Sequence, residues 1–529
     1  MNQFSLERDP IEGMNVLEAS AGTGKTFTIA GLYLRMVLEK KLDVNQILVV
    51  TFTEAATAEL HERVRETLKT ALNAFTRKIE GIEETQFHPS PIPHMLETMD
   101  AGEAVKRLTV NLQTFDEAAI RTIHGFCRML LLENSFECGA QFDCELEANQ
   151  DALIELVTSD YWRRMIGHAT PLLARALNTW SSQLNVKSLS RLIKQAMDHL
   201  DIEIIPPAPG LPDESVCDAY AMIIHKVQSL WADERDAIVQ LLAGNRDLKQ
   251  TTYAPERVRA RAEVLTRFLI MPTSSALLPG DCLIFTQTRI NASVKKHRSA
   301  PEHEFFMLMD KAVVASLAVE QAYATAVLTI KRNAFEYVAT HLERRKREMN
   351  ILAYNDLLLK TRDALRSPAA QLLITKMRNR YSAVLIDEFQ DTDPVQYEIF
   401  SRLFADNRTI LFYIGDPKQA IYGFRGADVF AYMTAVEQPG VKKSTLALNY
   451  RSSQGLIIAV NTLFRRAVNP FVIREIEFSP VTYPEHKPLQ RLIIDGRETT
   501  PMVVMYRSPG SVESRPMNKE ASTSLVVTV

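Results

Sequence analysis

Apolar positions near the start of the chain alternate between two spacings. Residues 14–17 form a short apolar run that predicts a strand. From Lys25 onward, Phe27, Ile29, Ala30, Leu32, Tyr33, Met36 and Val37 recur at the spacing of one helical face. The run 47–52, Ile-Leu-Val-Val-Thr-Phe, is a second strand signal, followed by a helix rich in Ala, Glu and Arg. Residues up to about 75 therefore read as β-α-β-α. The stretch from about 80 to 105, with His88, Pro89, Pro91, Pro93 and His94, reads as loop. Long helical patterns fill 145–350, broken by Pro206, Pro207, Pro209 and Pro212, and the last of these helices is predicted at about 314–348. That helix ends in Arg344-Arg345-Lys346-Arg347, a run that reads first as a solvated helix end. Strand signals return at 381–386 and 409–414. Strands alternating with helices predict an α/β fold with a parallel sheet whose ligand sits at the carboxyl ends of the strands. The helical block interrupts that domain rather than following it.

Composition narrows the picture in three places. A chain of 529 residues exceeds one ordinary core, so two to four domains are expected. With 46% hydrophobic and 24% charged residues it has the balance of a soluble globular protein, and a formal net charge of −3 excludes a globally basic nucleic-acid coat while leaving room for a local basic groove. The five cysteines show no C-x-x-C pair and no zinc-finger spacing, which predicts free thiols in a reducing compartment. The N-terminus is polar and carries acid, unlike a secretory signal, and no apolar run approaches the ~20 residues of a membrane span. A cytoplasmic protein without a membrane partner is expected.

Candidate chemistry begins at Glu18-Ala19-Ser20-Ala21-Gly22-Thr23-Gly24-Lys25-Thr26, between the first strand and the first helix. Strand, glycine-rich turn and helix are the context of a nucleotide-phosphate cradle. Backbone N–H groups and the positive helix end hold the phosphates, Lys25 adds a point charge, and the Thr26 hydroxyl faces Mg²⁺. Ala19 stands where the general pattern has its first glycine. Asp387-Glu388 follows the apolar run 381–386. An aspartate there suits a second metal ligand, and the adjacent glutamate suits a base that orients and deprotonates an attacking water.

The neighbouring residues narrow this to a family. Asp387-Glu388-Phe389-Gln390-Asp391, then Gly415-Asp416-Pro417-Lys418-Gln419-Ala420-Ile421-Tyr422-Gly423-Phe424-Arg425-Gly426, then Asn449-Tyr450-Arg451-Ser452, resemble motifs II, III and IV of the UvrD/Rep branch of superfamily 1 helicases. Upstream, 51–60 is similar to motif Ia, and Thr122-Ile123-His124-Gly125-Phe126 to the next DNA-contacting motif. Ala19 is a mark of that branch. The stretches 18–29, 51–60, 354–358 and 469–476 resemble its RecB-type members.

The resemblance implies a RecA-like P-loop core interrupted by a helical insertion. Residues 1–144 would open the first core domain, 145–349 form the insertion, 350–440 complete the core, and 441–529 begin a second RecA-like domain. It implies ATP and Mg²⁺ as cofactors, with Ala19 through Thr26 as the cradle and Thr26 and Asp387 on the metal. Glu388 would be the base, Gln419 a sensor of the γ-phosphate, Arg451 an arginine finger and Tyr450 a platform for adenine. On the DNA side, Phe52, Tyr422 and Phe424 would stack on bases, and Thr51, Thr53, Thr122 and His124 would touch phosphate or sugar. The implied activity is 3′-to-5′ movement on single-stranded DNA from duplex ends, in double-strand break repair and recombination, with RecC- and RecD-like partners. Motifs V and VI and the nuclease domain of RecB-type proteins have no counterpart before Val529. Two expectations therefore stand: a motor, or an ATP- and DNA-binding portion whose DNA-stimulated ATPase by itself is weak or absent.

Overall fold

The computed structural model describes residues 2–82, 91–138, 144–179, 184–200, 203–207, 209–270, 276–406, 408–421, 423, 428–471, 473–485, 487–488, 492–494 and 497–499. Tyr422 and Phe424 lie outside the described residues. The chain divides into two compact units, one of 1–138 with 361–529 and one of 139–360.

Nine strands in chain order carry the architecture: β1 (Asn2–Gln3), β2 (Met14–Ala19), β3 (Ile47–Thr51), β4 (Ala119–Thr122), β5 (Glu145–Glu147), β6 (Ile351–Ala353), β7 (Ala383–Ile386), β8 (Ile410–Gly415) and β9 (Lys442–Leu446). Seven of them form one sheet in the order β1-β9-β2-β8-β7-β3-β4, and every pairing is parallel. All positions of β3, β7 and β8 are buried, as in a parallel sheet covered on both faces. The helix Lys25–Leu38 buries a continuous run from Thr28 to Leu38. One core joins it to the helix Glu54–Ile79 and to Leu17, Val49, Leu385, Phe412 and Ile414 of the strands. The α/β class and the interrupting helical block are as the sequence patterns predict.

Two local expectations change. The stretch 80–105 is not all loop, because Ile92–Thr98 and Ala101–Gln113 are helices. Pro91 and Pro93 sit at the start of the first, where a missing N–H costs nothing, and Asp100 caps the second by accepting from the Glu103 N–H at 2.8 Å. The strand β9, in the stretch assigned by sequence to a further domain, pairs with β2 inside the seven-stranded sheet.

The unit 139–360 is mainly helical and contains the short parallel pair β5–β6. Its spine is Glu304–Met349, 46 residues long. This helix is long and apolar enough by composition to cross a membrane, yet Phe305, Phe306, Met309, Val319, Tyr323 and Ile330 are buried in a core with Trp231, Phe285 and Ile224. Lys346, in the basic run read as solvated, is buried: its Nζ lies 2.6 and 2.7 Å from the two Asp356 oxygens. Asp356 also accepts from the Ala353 N–H at 2.8 Å, so the helix end, β6 and the next helix meet at one carboxylate. Removing one partner of a buried ion pair leaves an uncompensated charge. Lys346→Met should lower stability by about 3 kcal/mol in chemical denaturation followed by circular dichroism, and Lys346→Met/Asp356→Asn should recover most of that loss.

Candidate nucleotide-binding site

The carboxyl ends of β2, β7, β8 and β9 each hand the chain to a stretch singled out by sequence, and the parallel register places Glu18 beside Gly415 and Ala19 beside Leu446. After β2 the chain turns through Ser20–Gly24. Gly22 and Gly24 have φ of +80° and +83°, a region that side chains rarely adopt. The Thr23 hydroxyl donates to the Ser20 carbonyl at 2.7 Å and tightens the turn. The helix Lys25–Leu38 begins with no side-chain cap and no acid in its first turn. Leading N–H groups and a positive dipole end without a side-chain cap are an arrangement that suits an anion.

Across the turn, β7 delivers Asp387 and Glu388. Lys25 Nζ lies 2.5 Å from Glu388 Oε2 and 3.9 Å from Asp387 Oδ1, so Lys25 and the acidic pair, remote in sequence, are one cluster. Glu388 has φ of +51°, a left-handed conformation that costs a non-glycine residue about 1–3 kcal/mol and tends to mark functional sites. Its backbone N–H donates to Asp387 Oδ1 at 2.9 Å. Gln390, buried beneath, donates from Nε2 to Glu388 Oε2 at 2.7 Å and accepts the Asp416 N–H on Oε1 at 2.9 Å. Burial pushes the Asp387 carboxyl up to about 6, with Lys25 opposing and Glu388 adding to the rise. Burial, with Glu388 beside it, also lifts Asp391 to about 6. Asp391 Oδ1 is buried without a hydrogen-bond partner.

The stretch after β8 turns tightly. Asp416 accepts from the Lys418 N–H on Oδ1 at 3.1 Å and from Gln419 Nε2 on Oδ2 at 2.7 Å, which places the Gln419 side chain on the same layer as Glu388. After β9, Asn449 bolts the chain onto the phosphate loop. Its Nδ2 donates to the Ala21 carbonyl at 2.9 Å, and its Oδ1 accepts the N–H groups of Arg451 and Ser452 at 3.0 and 2.9 Å. The Tyr450 N–H donates to the Gly22 carbonyl at 2.7 Å. Tyr450 and Arg451 are thereby brought beside the loop with their side chains largely exposed. Asn449 and Gln390 were not among the expected site residues. Their signal, a polar side chain inside a motif, becomes readable only when its partners are known.

The expected DNA-side residues gather at the ends of β3 and β4, where Thr51 and Thr122 are register partners. Their hydroxyls have internal work. Thr51 Oγ1 is 2.5 Å from Thr57 Oγ1 and donates to the Thr53 carbonyl at 3.2 Å. Thr122 Oγ1 caps the helix Ile123–Glu133 through the Gly125 N–H and donates to Glu54, both at 3.0 Å. Thr53 caps the helix Glu54–Ile79 and is itself exposed. Phe52 and His124 are half-buried, and burial lowers the His124 pKa, so its imidazole is neutral at pH 7.

The donors present suit a magnesium–nucleotide complex: uncapped N–H groups, a lysine, and hard oxygen ligands on Thr26 and the buried Asp387. A β-carbon on Gly22 would lie 2.7 Å from Arg451 Cβ and 2.9 Å from Asn449 Oδ1, whereas one on Gly24 would meet nothing closer than 3.8 Å. Gly22→Ala should therefore weaken nucleotide binding at least tenfold more than Gly24→Ala, which adds only backbone strain of about 1–2 kcal/mol, as titration calorimetry would show. A carboxyl whose folded pKa is raised contributes stability that is full below about pH 4 and is lost as pH rises through about 6. Ionised Asp387 thus strains the ligand-free protein at pH 7. Asp387→Asn should raise its stability by about 2 kcal/mol in urea denaturation while abolishing magnesium-dependent nucleotide binding.

The UvrD/REP helicase N-terminal domain matches residues 3–439. The RecBCD enzyme subunit RecB of Escherichia coli strain K12 is 34% identical over 519 residues, covering 95% of this chain and 42% of the relative. RecB of Haemophilus influenzae is 30% identical over 89% of this chain and 41% of the relative, and RecB of Mycolicibacterium smegmatis is 29% identical over 85% and 30%. The chain thus spans about two-fifths of the length of the first of these curated relatives and matches the N-terminal portion of RecB. With the phosphate loop, the acidic pair and a match over most of its length, this chain belongs to the UvrD/REP helicase family.

Proposed function

We propose that the chain carries the ATP-hydrolysing, DNA-tracking machinery of a RecB-type helicase, moving 3′-to-5′ on single-stranded DNA in the cytoplasm, in the processing of duplex ends for double-strand break repair and recombination. The observation that carries this reading is the convergence of Lys25, Asp387 and Glu388 beneath a helix start left uncapped, with Arg451 and Tyr450 tied to the same loop. RecB relatives named as subunits of a RecBCD enzyme support RecC- and RecD-like partners.

Each residue has a part to play. The N–H groups of Ala19–Thr26 bind the phosphates, and Lys25 leaves Glu388 to neutralise their charge. That exchange frees the Glu388 carboxylate to orient a water and take its proton. Thr26 and Asp387 hold Mg²⁺, which when bound neutralises charge on the phosphate oxygens. Gln419 faces the terminal phosphate, Arg451 stabilises the charge that builds on it, and Tyr450 covers the base. Phe52, Thr51, Thr53, Thr122 and His124, at the ends of β3 and β4, form the DNA side; the family resemblance assigns Tyr422 and Phe424 the same role. A neutral His124 serves there as a hydrogen-bonding group rather than a cation. The domain reading of a first core, a helical insertion and the start of a second core belongs to the same proposal, with Lys442–Leu446 counted in the first sheet.

The test is ATP binding and hydrolysis with and without single-stranded DNA, for the 529-residue chain beside Lys25→Ala and Glu388→Gln. Lys25→Ala should abolish binding. Glu388→Gln should retain it and lower any turnover by a factor of about 10² to 10⁴. Robust DNA-stimulated turnover lost in both variants would establish the motor. Binding that needs Lys25, with little DNA-stimulated turnover, would establish an ATP- and DNA-binding portion of one. Nucleotide binding indifferent to Lys25→Ala would sink the proposal.

A further inference from the structure

The ends of β2 and β8 hold a buried charge cluster that direct nucleotide contact does not require. Lys418 Nζ pairs with Asp416 Oδ1 at 2.7 Å and with Glu18 Oε1, and the three side chains are at most 9% exposed. Burial alone would lower the Lys418 pKa; the two carboxylates outweigh it and hold the ammonium charged. Asp416 uses both oxygens, one on Lys418 and the other on Gln419 Nε2. Its backbone N–H is fixed by Gln390, which also holds Glu388. A β-carbon on Gly415 would lie 3.0 Å from the Gln390 backbone nitrogen, so the layer is closed on that side as well. Glu18 is the last polar residue before the phosphate loop, so a displacement of the loop reaches Asp416 through Lys418.

We propose that Lys418 is a positioning residue for Gln419: clamped between Glu18 and Asp416, its ammonium fixes the carboxylate that orients the Gln419 amide, and so sets how strongly the site prefers a nucleoside triphosphate over a diphosphate. This rests on the proposed ATP site, with Gln419 facing the terminal phosphate. Without the ammonium, the buried Asp416 carboxylate loses its charge partner and turns toward water, and Gln419 loses the acceptor that aims it. Lys25 and the loop N–H groups are untouched, so contacts shared by both nucleotides survive.

The experiment measures equilibrium binding of ADP and of a non-hydrolysable ATP analogue, each with Mg²⁺, by calorimetry on the 529-residue chain. Lys418→Met should reduce the preference for the triphosphate about tenfold while leaving ADP affinity within about twofold. Lys418→Arg should keep most of the preference, because the charge remains. Gln419→Ala should show the same loss as Lys418→Met, and the double variant should be no worse than Gln419→Ala, since the two residues act as one unit. A role in folding alone would lower both affinities together and add to the Gln419→Ala loss. An unchanged ratio in Lys418→Met, or additive loss in the double variant, overturns the inference. If Lys418→Met does not fold, Glu18→Gln, which frees one end of the clamp, must still lower the ratio about threefold or the inference fails. A wild-type chain that binds no nucleotide, or binds it equally well as Lys25→Ala, overturns the proposed function itself, an outcome separate from any result at Lys418.

Discussion

Parallel pairing of β2 with β8 on one side and β9 on the other is the constraint from which the site follows. Each of these strands ends at the same edge of the sheet, so the phosphate loop, the Asp416 turn and the Asn449 turn emerge together although the sequence separates them widely. Register matters as much as direction. A slip of one residue along β2 would exchange the faces of Leu17 and Glu18, taking one out of the core and the other away from Lys418.

At that edge the protein holds several groups away from their local optimum. Asp387 and Asp391 are carboxyls in low-dielectric surroundings, Glu388 has a left-handed backbone, Asp391 Oδ1 lacks a partner, and a helix start is uncapped. Each is unfavourable alone, and the large core on the sheet supplies the stability that tolerates them. Lys25 answers the acidic pair with an ion pair to Glu388. The carboxyl ends of β3 and β4 lie along the same edge. There Thr51 and Thr122 shape the turns after β3 and β4 with the hydroxyls that the family resemblance assigns to DNA, and an exposed Thr53 and a half-buried Phe52 stand beside them.

The α/β class and the interrupting helical block were legible in the amino-acid sequence, because they rest on local spacing and on short motifs; the proximity of Lys25 to Asp387 and Glu388 is what the structure adds to the motif reading. The sequence misread what depends on context. Prolines at 91 and 93 signal a loop until they fall at the start of a helix, and in a basic run whose three arginines are exposed as expected, Lys346 alone turns inward to meet Asp356. Membership of the strand after 441 was equally out of reach, since nothing local to Lys442–Leu446 says which strand it will lie beside. The tertiary structure alone decided that Lys25 touches Glu388, that Asn449 ties the Arg451 turn to the loop, and that Gln390 and Lys418 brace Glu388 and Gln419 from below. These are contacts between residues remote in sequence, made by polar side chains whose meaning depends on which partner burial brings to them. Spacing along a chain encodes which face a residue occupies; only packing of strand beside strand encodes what it meets there.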